Sequence, residues 1–246
     1  MNLSGNVILI TGGSSGIGLE LAKQFITRNN TVIVCGRSAE KLALAQNELP
    51  QLHTYQCDIS IKEDQQGLMH HIKKEHPRLN VLINNAGIAH KSHFVSDPMM
   101  PEMAELEVQT NFLGPVLLSQ TFLNHNIHGT VINITTGLIY APRTVYPIYN
   151  ATKSALHSFT QVLRKQTEPL GAEIIEVMMP VVDTPWHKGN LPRTAITVEK
   201  AVSLMMRGLE SGRREIRIGR VQALYLLSRI APGLAFRIVN NLHDQG

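Results

Sequence analysis

A glycine-rich turn between an apolar strand and an amphipathic helix constrains the fold of this chain more than any other feature. Residues Asn6 to Ile10 form a short, largely β-branched run, and Thr11-Gly-Gly-Ser-Ser-Gly-Ile-Gly18 follows it. A helical pattern then begins with Leu19, Leu21, Ala22, Phe25 and Ile26. Glycines let a backbone turn tightly and approach a pyrophosphate, while a helix N-terminus offers free N–H groups and a positive dipole end. Strand, turn and helix together make Gly12, Gly16, Ile17 and Gly18 a nucleotide-binding fingerprint, with the hydroxyls of Ser14 and Ser15 at the same mouth. The spacing is Gly-x-x-x-Gly-x-Gly, not the commoner Gly-x-Gly-x-x-Gly.

The alternation continues along the chain. Further apolar runs at Thr31–Cys35, Leu52–Cys57, Val81–Asn84, Thr130–Thr135, Glu173–Met178 and Ile216–Ile218 are separated by helical patterns. Strands alternating with helices predict an α/β Rossmann fold, a doubly wound and mostly parallel sheet of seven strands flanked by helices. With 246 residues, 43% of them hydrophobic, and no linker or repeat, residues 1–246 are expected to form one dinucleotide-binding catalytic domain. Residues 220–246 read as a helical extension of it.

The second strand runs into Gly36-Arg37-Ser38. Dinucleotide sites place an acid near here to hold a ribose 2′-hydroxyl, whereas an arginine accommodates a 2′-phosphate. Arg37 therefore favours NADP(H), with NAD(H) as the alternative. Farther on, Tyr149 and Lys153 stand four residues apart in a helical pattern, and Thr136 precedes Tyr149 by thirteen. That spacing puts phenol and ammonium on one helix face. A cation beside a phenol favours phenolate and lowers its pKa, which suits a group exchanging a proton with a carbonyl oxygen.

These motifs, in this order, resemble the short-chain dehydrogenase/reductase family from about Asn2 to Trp186. Asp58-Ile-Ser60, Asn84-Asn-Ala-Gly87, Asn111-Phe-Leu-Gly114 and Ile132-Asn-Ile-Thr-Thr136 complete the series. The stretch Asn133 to Pro142 and the segment Pro180-Val-Val-Asp-Thr184 resemble the DltE-like subgroup. The resemblance implies that Tyr149 donates and accepts the proton, that Lys153 holds the nicotinamide ribose and lowers the tyrosine pKa, and that Thr136 orients the substrate oxygen. It further implies that Asn111 supports a proton relay and that Asp58 and Ile59 meet the adenine. Asn85, Ala86 and Gly87 would line the cofactor ribose, and Val182 and Thr184 would contact the carboxamide. Two departures stand out. Thr136 replaces the usual serine, keeping the hydroxyl but adding a methyl and a stiffer χ1. Met179-Pro180 replaces the usual Pro-Gly pair, which fixes φ and removes an N–H.

The expected activity is hydride transfer between a nicotinamide and a carbonyl or alcohol, an NADP-preferring dehydrogenase or reductase. A cofactor-binding sensor or docking protein without turnover is the alternative. Leu138, Tyr146 and Trp186 would wall an apolar pocket for a medium-sized carbonyl or alcohol. The net charge of +4 comes without an interleaved aromatic platform, which argues against nucleic acid. Eleven histidines show no metal-ligand spacing, so no metal is expected. Two cysteines, Cys35 and Cys57, read as buried and reduced, consistent with a cytoplasmic protein, and the first strand begins too early for a signal peptide. The segment Arg213 to Arg237 mixes arginines with Leu224, Leu227, Ile230 and Leu234. Packing over the cleft or in a homodimer or homotetramer is the first expectation, and peripheral membrane contact the second.

Overall fold

The computed structural model describes residues 1–184 and 194–241. Seven strands form one sheet in the order β3-β2-β1-β4-β5-β6-β9, and every pairing is parallel. They are β1 (Val7–Thr11), β2 (Thr31–Gly36), β3 (His53–Gln56), β4 (Val81–Asn84), β5 (Thr130–Thr136), β6 (Glu173–Met179) and β9 (Glu215–Arg217). The expected Rossmann sheet is present. Its strand order reverses at β1 and β4, the place where open α/β sheets leave a crevice for a ligand. A separate two-stranded ladder, β7 (Val182–Asp183) with β8 (Ile196–Thr197), was not anticipated.

Alternate residues of each inner strand feed opposite cores, as the two-residue period of a strand requires. Ile8, Ile10, Val32, Val34 and Ile83 pack with Leu21 and Phe25 of α1 (Gly16–Ile26), together with Val202, Met205 and Met206 of α7 (Val198–Glu210). Leu9, Ile33, Leu82 and Val131 pack with Leu68 and Ile72 of α3 (Lys62–Glu75) and with Leu118 and Phe122 of α5 (Gly114–His125). Each such fully buried side chain contributes about 1.5–3 kcal/mol. Both cysteines are buried and unpaired.

One polar thread crosses the second core. Asn84 donates to Ser119 Oγ (3.0 Å) and to Asn133 Oδ1 (2.8 Å), and Asn133 donates to Thr160 Oγ1 (2.8 Å). It ties β4 and β5 to α5 and to α6 (Pro147–Thr167), the helix that carries Tyr149 and Lys153. A buried network of this kind fixes geometry, because no member can move without leaving a polar group unpaired.

The C-terminal segment breaks into α8 (Val221–Ile230) and α9 (Pro232–Asn240) at a proline that cannot continue the first helix. Ala235 and Val239 join Ala141 in a small third core, with Leu138, Leu224 and Leu227 against it. Asn240 accepts from Thr144 N (2.7 Å) and donates to Pro142 O (3.0 Å). The pair of helices thus packs on the loop after β5. Leu226, Ile230, Phe236 and Ile238 stay exposed. No described helix is long and apolar enough to cross a membrane.

Candidate active site

Parallel pairing delivers the ends of β1, β4 and β5 to one edge of the sheet, and the residues singled out from sequence gather there. Gly12 has φ +64°, and an added Cβ would lie 2.9 Å from Ala86 Cα. At Gly18 a Cβ would meet Gly12 O at 2.4 Å and Asn85 Nδ2 at 2.7 Å. The turn therefore has room for glycine alone at these two points. Asn85 fastens it from the neighbouring loop, donating to Thr11 O (2.9 Å) and Gly12 O (3.2 Å). Thr11 Oγ1 accepts from the N–H groups of Asn85 and Ala86, both at 3.0 Å. Ser15, the residue before α1, makes no side-chain cap, so the first turn of the helix presents its N–H groups at the mouth. A backbone cradle at a helix N-terminus is what a pyrophosphate needs, and the site fits a dinucleotide.

At the outer end, Arg37 is exposed and its Nη1 lies 4.0 Å from Asp58 Oδ2. Together with Gln56, Glu63 and Asp64 they line an open pocket of about 490 Å³. Asp58 also accepts from Ser60 N (2.9 Å) and Ser60 Oγ (2.7 Å), which fixes its carboxylate. Ile59, expected at the adenine, has its side chain packed in the core beneath α3 and α5.

The catalytic wall is built from buried polar side chains. Helix α4 (Met100–Val108) gives way to a π-helical turn, Gln109–Leu113, just before α5, and the turn carries Asn111. Single π turns widen a helix locally and re-aim what they carry. Asn111 accepts from Ile88 N (2.9 Å) and donates to Ile88 O (2.8 Å) and to Thr152 Oγ1 (3.3 Å), locking the loop after Gly87 to α6. A Cβ on Gly87 would lie 3.3 Å from Asn111 Oδ1 and 3.5 Å from Lys153 Nζ, so this glycine lets the two approach one another.

Lys153 is buried and donates to Ile134 O at 2.9 Å. Burial pulls its pKa down to about 8, opposed by the charge of Glu176. Tyr149 is pushed up to about 12, first by burial, with a hydrogen bond from Thr136 working in the opposite direction. Burial of the phenol outweighs the bond from Thr136, and the Lys153 ammonium is engaged by the Ile134 carbonyl. The tyrosine is thus a neutral phenol at physiological pH. Thr136 Oγ1 accepts from Leu138 N (3.3 Å), which leaves its proton for Tyr149. Tyr146 packs edge-on against Tyr149, ring centroids 6.0 Å apart.

Leu138 and Tyr146 sit beside this wall, while Tyr140 turns away, its hydroxyl accepting from Arg217 Nε (2.9 Å) and its ring tilted on Tyr225. Val182 is buried in β7, Thr184 is half-buried beyond it, and Trp186 lies outside the described residues. Two acids near the wall were missed from sequence. Glu107, fully buried at the end of α4, accepts from His90 N and acts electrostatically on Tyr149. Glu176 is fully buried in β6. A glutamate inside the apolar run Ile-Ile-Glu-Val-Met-Met was the available signal. Among the described residues no group of histidines, cysteines and acids could hold a metal ion.

Comparison with known proteins agrees with this geometry. The family model described as short chain dehydrogenase matches residues 6–194. The chain is 41% identical to the uncharacterized oxidoreductase DltE of Bacillus subtilis over 232 residues, which cover 91% of this chain and 92% of that one. It is 32% identical over 193 residues to a fatty acyl-CoA reductase of Acinetobacter baylyi, covering 75% of this chain and 65% of the relative. Among solved structures, a Burkholderia cenocepacia short chain dehydrogenase in complex with NADP superposes with a TM-score of 0.86 at 23% identity, covering 97% of this chain and 99% of the other. A Burkholderia phymatum short chain dehydrogenase/reductase in complex with NAD gives 0.82 at 17% identity, covering 100% and 99%. The glycine cradle, the Tyr149–Lys153 wall and these matches identify the chain as an oxidoreductase of the short chain dehydrogenase family, similar to DltE.

Proposed function

We propose that this oxidoreductase interconverts a carbonyl and an alcohol, with NADP(H) as the preferred cofactor. The bound nicotinamide supplies or accepts the hydride. Tyr149 exchanges the proton with the substrate oxygen, and Thr136 orients that oxygen from the other side. The observation that carries this reading is the gathering of Thr136 at the end of β5 with Tyr149 and buried Lys153 of α6, whose Nζ donates to the Ile134 carbonyl of the same strand at 2.9 Å. A phenol that keeps its proton at pH 7 is equipped to give it to a developing alkoxide. Lys153, within reach of Gly87 and Asn111, is placed to hold the nicotinamide ribose and, once engaged there, to favour phenolate. Asn111 supports the route by which Lys153 regains a proton. Gly12, Ser14, Ser15, Gly16, Ile17 and Gly18 cradle the pyrophosphate, Asn85, Ala86 and Gly87 line the ribose, and Val182 and Thr184 meet the carboxamide.

Arg37 supports NADP(H), since an exposed guanidinium at the end of β2 can take a 2′-phosphate. Its approach to Asp58, with Glu63 and Asp64 nearby, favours NAD(H) as the second reading, because those carboxylates oppose a phosphate. The wall of Leu138 and Tyr146 suits a medium-sized apolar substrate. Residues 1–246 act as one catalytic domain in which 220–246 close the cleft wall. The exposed apolar residues of α8 and α9 support a homodimer or homotetramer ahead of a membrane contact, and two reduced cysteines suit a cytoplasmic setting. The test is Tyr149→Phe. It should bind NADPH as before and reduce its best carbonyl at least about a hundredfold more slowly. A near-normal rate would overturn the assignment.

A further inference from the structure

Beside Lys153, between α6 and β6, lies a second polar cluster that the proposed chemistry does not use. Glu176 of β6 has no exposed surface. Its Oε1 accepts from Thr135 Oγ1 at 2.6 Å, and His157 Nδ1 lies 2.9 Å from Oε1 and 2.8 Å from Oε2. His157 follows Lys153 by four residues, so both stand on the same face of α6. Thr135 follows Ile134, whose carbonyl accepts from Lys153 Nζ. A single peptide unit of β5 therefore receives the ammonium through its carbonyl and holds the carboxylate through the next hydroxyl.

From this juxtaposition we propose that Glu176, held by Thr135 and His157, is a positioning residue that keeps the ammonium of Lys153 charged. A buried ammonium facing only a carbonyl dipole loses its proton easily, whereas a fixed carboxylate nearby favours the charged form. Glu176 is the one charged group that acts on Lys153 among its described surroundings. Other charged and titratable groups around this part of α6 are engaged elsewhere. Tyr149 bonds Thr136, and Glu107 from α4 acts on Tyr149 and holds His90. Tyr140 bonds Arg217, and Arg217 pairs with Glu215 (2.6 Å), which also takes Arg164 (3.2 Å).

The proposal rests on the reading of Lys153 as part of the cofactor machinery only for its functional consequence, so it is tested on the ammonium directly. The ε-carbon of Lys153 is followed by NMR against pH in the full chain, its signal identified by its loss in Lys153→Met. The wild-type midpoint is expected near about 8. Glu176→Gln keeps an acceptor for Thr135 but removes the charge, and should lower the midpoint by about one pH unit. Glu176→Asp should restore it. The pH above which NADPH affinity falls should move down in parallel in Glu176→Gln. An unchanged Lys153 midpoint in the folded glutamine variant overturns the proposal. A shifted midpoint with an unshifted NADPH profile leaves Glu176 in its role and overturns instead the placement of Lys153 at the cofactor. Should Glu176→Gln fail to fold, the reciprocal measurement decides. The Glu176 carboxyl carbon in Lys153→Met should titrate at higher pH than in the wild type, since the coupling of two charges is mutual. An unchanged carboxyl midpoint there overturns the proposal as well.

Discussion

The two sides of the cleft achieve order by opposite means. The cofactor side is made of backbone: glycines at 12 and 18 bring main chain against main chain, and Asn85 clips the turn by its carbonyls. The catalytic side is made of polar side chains, the half-buried Tyr149 with the buried Asn111, Thr136, Lys153 and Glu176, each held by a specific partner. Backbone cradles fail through volume, whatever the chemistry of the intruding group. Side-chain walls fail through charge and hydrogen bonding, and tolerate replacements that keep both.

Substitutions can break or sharpen that contrast. The largest effect is expected at Gly18→Ala, where one methyl would stand 2.4 Å from the Gly12 carbonyl and 2.8 Å from Gly13 Cα. Backbone must move to admit it, so stability should fall by about 1–3 kcal/mol and NADPH binding should be lost. Urea unfolding with fluorescence titration measures both, and a stable Gly18→Ala protein with normal affinity would show that the cradle is more elastic than its contacts indicate. Next comes Arg37→Ala, where the wild type should bind NADPH more tightly than NADH. Loss of a charge-assisted contact worth about 1.5–3 kcal/mol should remove most of that preference, roughly ten- to a hundredfold. Equal affinities in the wild type would transfer the preference to NAD(H), in keeping with the Arg37–Asp58 pair.

The smallest effect should come from a conservative change in the wall. Thr136→Ser keeps the hydroxyl that bonds Tyr149 and should hold kcat within a few-fold, whereas Thr136→Ala should lose about a hundredfold with normal folding. Equal kcat in the alanine variant would mean that another group orients the substrate oxygen.

The same contrast explains what could be read from sequence. Local patterns carried the cradle: β1, the turn and α1 are contiguous, and a turn of glycines has few other uses between a strand and a helix. The seven strands of the main sheet were legible too, because each is a short apolar run. The wall was legible only where its spacing is short, as in Tyr149 and Lys153. Pairings across the fold were not. Glu176 meets His157 from another element, Glu107 reaches a loop seventeen residues back, and both depend on how β5, β6, α4 and α6 come together. The π turn at Asn111 was hidden for a related reason. At its end stands Gly114, where an added Cβ would lie 2.7 Å from the Ile59 carbonyl, a contact across the fold that the local pattern does not display. Spacing placed Lys153 beside Tyr149 but could not show how far burial raises the phenol.

The clasp between Asn240 and the loop at Pro142 and Thr144 sets a timetable for the protein. Chains grow from the N-terminus, and the early elements can begin to order before later ones exist. β1 to β4 with their glycine turn leave the ribosome long before Asn240 does, so the loop around Leu138 goes without its cover until the last helices have been made. The partners in the clasp stand 96 and 98 residues apart. The small third core around Ala141 is therefore a late addition, closed only when the last stretch of helix lies down.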